Sequence, residues 1–174
     1  MEIAGATFLY TLATLMITFA GFAALLLIIR QTAGAKLSDL DRFLTRTTIG
    51  NALVLTGGAL LPMLLNLYEV PEMWLWKASA LIFGLPMVAL LLTFPRRRAA
   101  ATGKPPPPLV LVMFVGLGSL ALIAMIVDVL GNFGHQAAAY ITALTVNFFT
   151  LAAAFVIAIE VILRQPSEVP HKKK

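Results

Sequence analysis

Five long apolar stretches joined by short polar connections leave this chain very few ways to fold. They run approximately over residues 3–29, 47–67, 73–94, 109–131 and 137–163. The hydrocarbon core of a bilayer is roughly 30 Å thick, and about 20 apolar residues in helical form cross it. Each stretch reaches that length. Backbone polar groups inside lipid must be bonded within the segment, which here means a helix. Hydrophobic residues make up 60% of the 174-residue chain and charged ones 12%, with mean hydropathy +0.92, a balance foreign to soluble domains. The predicted fold is an all-α integral membrane protein: one domain over residues 1–164, a compact bundle of five transmembrane helices, followed by a basic tail over 165–174. No basic residue precedes the first stretch, so it reads as a span and not as a cleaved leader.

The basic residues orient the bundle. Arg30, Lys36, Arg42 and Arg46 fall in the first connection, Arg96, Arg97, Arg98 and Lys104 in the third, and Arg164, Lys172, Lys173 and Lys174 beyond the fifth stretch. Of the 13 Lys and Arg residues only Lys77 lies on the other side, beside Glu2, Glu69 and Glu72. Because Lys and Arg collect in cytoplasmic loops, the expected topology is N-terminus outside and C-terminus inside, as for a bacterial inner-membrane protein. The net charge of +5 is then topogenic and gives no reason to expect nucleic acid as a partner. Arg96, Arg97 and Arg98, with Lys172, Lys173 and Lys174, are candidate contacts for anionic lipid headgroups on the inner side, each contributing about 1 kcal/mol near the surface.

Within the inner connections, LSDLDRFLTR (37–46) has Ser38 as a candidate N-cap and Leu40, Phe43 and Leu44 at helical spacing. It predicts a short amphipathic segment, a turn or two at the membrane surface that runs into the second span. ATGKPPPP (101–108) predicts an extended spacer. No connection is long enough to bury a core of its own.

Lipid tails give helices no hydrophobic reason to associate, so contacts between spans favour small and hydroxylated residues. The first span carries Thr7, Thr11, Thr14 and Thr18 on one face, continued by Gly21. Comparable faces are Asn51, Gly58, Pro62 and Asn66 in the second span, Ala80 and Gly84 in the third, Gly118, Ala121, Met125, Asp128 and Asn132 in the fourth, and Ala143, Asn147, Thr150, Ala154 and Ala158 in the fifth. The threonine stripe is expected to face inward against one of these seams. A second reading has Thr7, Thr11, Thr14, Thr18, Thr56, Asn147 and Thr150 lining a polar path. Gly57, Gly58 and Pro62 in the second span and Gly84 and Pro86 in the third are candidate helix breaks, either simple kinks or the interrupted helices of a solute site.

No ionisable residue lies near the middle of any span. Lys77 and Asp128 sit at matching outer depths and are expected to pair, as an inter-helix clamp or a shallow cation site. Glu160 and Arg164, one turn apart, are the candidate inner ion pair. Two histidines, His135 and His171, and no cysteine leave no set of residues for metal, haem or thiol chemistry, so no cofactor, metal site or catalytic residue is expected. Two functions remain. One is a non-catalytic scaffold, assembly or accessory subunit, acting as a homo-oligomer or within a larger membrane complex. The other is a small channel or transporter for a neutral or weakly charged solute.

Overall fold

In a computed structural model, which describes residues 3, 5–32, 34, 38–131 and 133–164 and all of their side chains except those at 154, 157, 158 and 160–164, the chain is a bundle of helices. Five are long and apolar enough to cross a membrane: α1 (Ala6–Thr32), α2 (Asp39–Leu67), α3 (Glu72–Thr102), α4 (Pro108–Gly131) and α5 (Gln136–Arg164). Large apolar side chains such as Phe8, Phe22, Leu85, Val112, Leu120 and Phe149 stand exposed around the outside. That surface is adverse in water and natural against lipid, and it marks an integral membrane protein.

One helix end follows the sequence reading and another departs from it. The amphipathic segment before the second span is the opening of α2 itself, eight residues before Thr47, because Ser38 and Asp41 close a capping box. The Asp41 amide donates to Ser38 Oγ at 3.1 Å and the Ser38 amide donates to Asp41 Oδ2 at 3.0 Å, which satisfies two donors that a helix start would otherwise leave free. At the other connection of the basic end α3 continues past Phe94, through Pro95 and the three arginines, to Thr102. It stops where Gly103 turns left-handed (φ 66°) and its amide bonds the Ala99 carbonyl at 2.8 Å. Arg96, Arg97 and Arg98 therefore ride on a helical extension, and the extended spacer begins only after it.

The interrupted helices of the solute-site reading do not form. α2 runs unbroken through Gly57, Gly58 and Pro62, and α3 through Gly84 and Pro86. The irregular span is α4, whose residues Leu111–Leu117 are wound as a π-helix. Its inward residues are Phe114, Gly118, Leu122, Met125 and Val129. A step of four residues drifts by about 40° on a regular α-helix, and the wider π turn offsets that drift between Phe114 and Gly118.

Helix α2 is central, packed against α1, α3 and α5, while α4 closes the bundle against α3 and α5. α1 attaches mainly along α2, and the Phe19 ring meets α5 edge-on at Phe148 (6.1 Å) and Phe155 (4.6 Å). At the basic end Phe94 stacks tilted between Phe43 (5.9 Å) and Phe114 (4.9 Å), joining α2, α3 and α4.

Candidate functional site

On α1 the residues turned into the bundle are Leu9, Leu12, Ala13, Met16, Ala20 and Ala23. Thr7, Thr11, Thr14 and Thr18 are all exposed on the outer face, as is Gly21. The inward orientation expected of the stripe is thus reversed. The reason is local: the hydroxyls of Thr11, Thr14 and Thr18 donate to the carbonyls of Thr7, Tyr10 and Thr14 at 2.9, 2.9 and 2.8 Å. A threonine bonded to its own backbone needs neither water nor a partner helix and can face lipid.

The remaining residues of the postulated polar path do not join it. Asn147 and Thr150 are buried on α5, Thr56 is half-buried on α2, and all three are also bonded within their own helices. Asn147 Nδ2 donates to the Ala143 carbonyl (2.8 Å), Thr150 Oγ1 to the Val146 carbonyl (2.7 Å) and Thr56 Oγ1 to the Ala52 carbonyl (2.8 Å). Between them the interior is filled by Met16, Leu55, Leu122, Met125 and Leu144, each 0–1% exposed. Asn147 Oδ1 lies so close to Gly118 that a β-carbon there would stand 2.9 Å from it, so the amide marks a tight α4–α5 contact.

The inward polar faces of α2 and α5 instead converge on one bond that the sequence reading missed. Pro62 has no N–H, so the carbonyl four residues earlier, that of Gly58, receives no donor from its own helix. Tyr140 of α5 supplies it: the phenol donates to the Gly58 carbonyl at 2.7 Å, with both residues buried. The Tyr140 ring lies 5.7 Å from Trp76 and 5.8 Å, edge-on, from Phe83. Phe83 in turn covers Gly58 so closely that a β-carbon there would meet its Cδ2 at 2.5 Å. A proline, a glycine and three aromatics from three helices thus form a single packed node. The sequence signal was available: an intramembrane proline frees a carbonyl, and a buried tyrosine on another span needs an acceptor.

At the end of the bundle away from the basic residues the expected Lys77–Asp128 pair is not made. Lys77 Nζ sits over the Trp74 ring of its own helix, 5.6 Å from the centroid, while Asp128 Oδ2 is buried without a hydrogen-bond partner. Equal depth placed the two residues level, but Lys77 has a cation–π partner one turn back, which removes the need to reach across. The ion pair found among the described residues is at the basic end instead, where Arg30 Nη1 contacts Asp41 Oδ2 at 2.9 Å. The same oxygen completes the α2 capping box, so one carboxylate starts α2 and ties it to the end of α1. An acidic residue three positions after Ser38 was the signal for it.

Among the candidate headgroup contacts, Arg96 is exposed, whereas Arg97 turns back and donates from Nη2 to the Leu90 carbonyl at 3.1 Å. The Glu160 and Arg164 side chains, Asn132, and Lys172, Lys173 and Lys174 lie outside the described residues and side chains. No family model, curated protein or solved structure matches the chain.

Proposed function

We propose that this protein is a non-catalytic subunit that scaffolds or assembles a membrane complex, and that it associates through the outer face of α1. The observation that carries this reading is the outward threonine stripe. Thr7, Thr11, Thr14, Thr18 and Gly21 form a row of short side chains on the exposed side of the helix that hangs at the edge of the bundle. Short and hydroxylated side chains let a second helix approach closely, which is the ordinary basis of helix association in lipid. The partner is a second copy of the chain or another membrane protein. The solute-path alternative draws no support from the packing, since its seven residues divide among the outer face of α1, the flank of α2 and the buried face of α5.

In this reading the basic end, with Arg30, Arg42, Arg46, Arg96, Arg97 and Arg98, faces the cytoplasm of a bacterial cell and the N-terminus faces outward. The test is the mass of the protein in mild detergent and in nanodiscs, with and without Thr11→Leu, Thr14→Leu and Thr18→Leu together. An oligomer or complex that dissociates in the triple variant, with helix content kept, is the expected result. A lone wild-type monomer, or an assembly indifferent to the three leucines, refutes it.

A further inference from the structure

A cleft of about 530 Å³ lies between the last turns of α1 and the first turns of α2, away from the outer face of α1. Its walls include Leu27 and Gln31 from α1 and Arg42, Arg46, Ile49 and Gly50 from α2. α1 approaches the basic end and α2 leaves it, so Gln31 and Arg42 stand at the mouth. Leu27 lies one turn deeper on one wall, and Ile49 and Gly50 lie about a turn beyond Arg46 on the other. The cleft therefore grades from cationic to apolar along the helix axes, over about 12 Å from Arg42 to Gly50 at 1.5 Å per residue.

The two arginines are free to meet a ligand. Among the described residues neither has an ion-pair partner, whereas the neighbouring Arg30 is already held by Asp41 at 2.9 Å. Arg42 and Arg46 are also one turn apart on the same face of α2 and both exposed. Two adjacent guanidiniums present parallel donors suited to a phosphate. The floor adds a second requirement: no atom stands within 4 Å of a β-carbon built on Gly50, so the deep end is open, and it is walled by aliphatic side chains.

From this grading we infer that the cleft is a binding site for one anionic diacyl phospholipid, its phosphate on Arg42 and Arg46 and an acyl chain laid over Leu27, Ile49 and Gly50. A zwitterionic lipid would bring no net negative charge to the two arginines, and a free phosphate would leave the apolar floor unused. The site is separate from the arginines of α3 and does not depend on the subunit reading.

The experiment is native mass spectrometry of the detergent-solubilised protein titrated with phosphatidylglycerol or phosphatidylcholine, with inorganic phosphate as competitor. Wild type is expected to prefer phosphatidylglycerol by about 30-fold, the factor that two surface arginines supply. Arg42→Ala with Arg46→Ala should abolish that preference, and Arg96→Ala with Arg98→Ala should leave it largely intact. Gly50→Leu, which fills open space and changes no charge, should weaken phosphatidylglycerol binding by itself. Equal binding of the two lipids, a preference that survives loss of Arg42 and Arg46, or full displacement by inorganic phosphate would each overturn the assignment. Helix content measured for every variant separates lost binding from lost folding, and the glycine variant tests the site without touching the arginines.

Discussion

Replacing Tyr140 by phenylalanine deletes one oxygen from the centre of the bundle and leaves the Gly58 carbonyl with no donor. The ring can stay where it is, against Trp76 and Phe83, so packing is nearly conserved and the hydrogen bond is isolated. Tyr140 is 0% exposed and Gly58 is buried, so water does not replace the phenol. An unsatisfied buried carbonyl costs about 1–3 kcal/mol, while inter-helix hydrogen bonds in membrane proteins measure about 0.6 to 1.7 kcal/mol. Tyr140→Phe is therefore expected to destabilise the bundle by about 1–2 kcal/mol. Pro62→Ala restores an N–H at position 62, which can donate to the same carbonyl within α2. In that background Tyr140→Phe should cost about 0.5 kcal/mol or less, giving a coupling of about 1 kcal/mol between residues on two helices. The four proteins of the cycle are compared by reversible unfolding in mixed micelles, followed by tryptophan fluorescence and helix content. If Tyr140→Phe costs the same in the wild type and in the Pro62→Ala background, to within about 0.3 kcal/mol, the proline does not create the need that the tyrosine meets and the reasoning fails.

Neighbouring glycines should respond in opposite ways: Gly58→Ala drives a β-carbon against the buried Phe83 ring and should destabilise by about 1–3 kcal/mol, whereas Gly57→Ala enters open space and should be neutral or slightly stabilising in the same assay. At the basic end Asp41→Asn keeps an oxygen to cap α2 but strands Arg30, with an expected loss of about 1–2 kcal/mol. Asp41→Ala removes the cap as well and should lose about 1 kcal/mol more in unfolding measurements. Lys77→Gln and Asp128→Asn should be additive to within about 0.5 kcal/mol in a double-mutant cycle, because the lysine is engaged by Trp74 and not by the aspartate; a larger coupling would restore the clamp. Gly118→Ala should cost about 1–3 kcal/mol in thermal unfolding, since its β-carbon would meet Asn147 Oδ1 at 2.9 Å and Leu91 Cδ1 at 3.2 Å.

The number of helices, their order and most of their length are readable from the chain because lipid requires long, internally bonded segments. Asn51, Gly58 and Pro62 on α2, Ala80 and Gly84 on α3, and Ala143, Asn147 and Thr150 on α5 could be marked as interior from their chemistry, and all are buried. Local capping chemistry accounts for the start of α2, and a left-handed glycine for the end of α3, so those boundaries were encoded even where the apolar pattern alone stopped short. Rotation was harder. On α1 the threonine row and the row of Leu9, Leu12, Met16 and Ala20 have the same helical period, and each suits a helix interface. In water, polarity decides which row turns outward; in a bilayer both surroundings are apolar, and threonine conceals its hydroxyl on its own backbone.

Sequence alone thus determined that this chain is a five-helix membrane bundle with its basic residues gathered toward one end, because helix length and charge position are properties of single segments. Tertiary structure decided the rest. It turned the threonines outward, seated Lys77 on Trp74, passed the Gly58 carbonyl to Tyr140 and paired Arg30 with Asp41 at the basic end. Each of these depends on the rotation of a helix about its own axis and on which neighbour stands beside it. Only the packing of all five helices together specifies those two quantities.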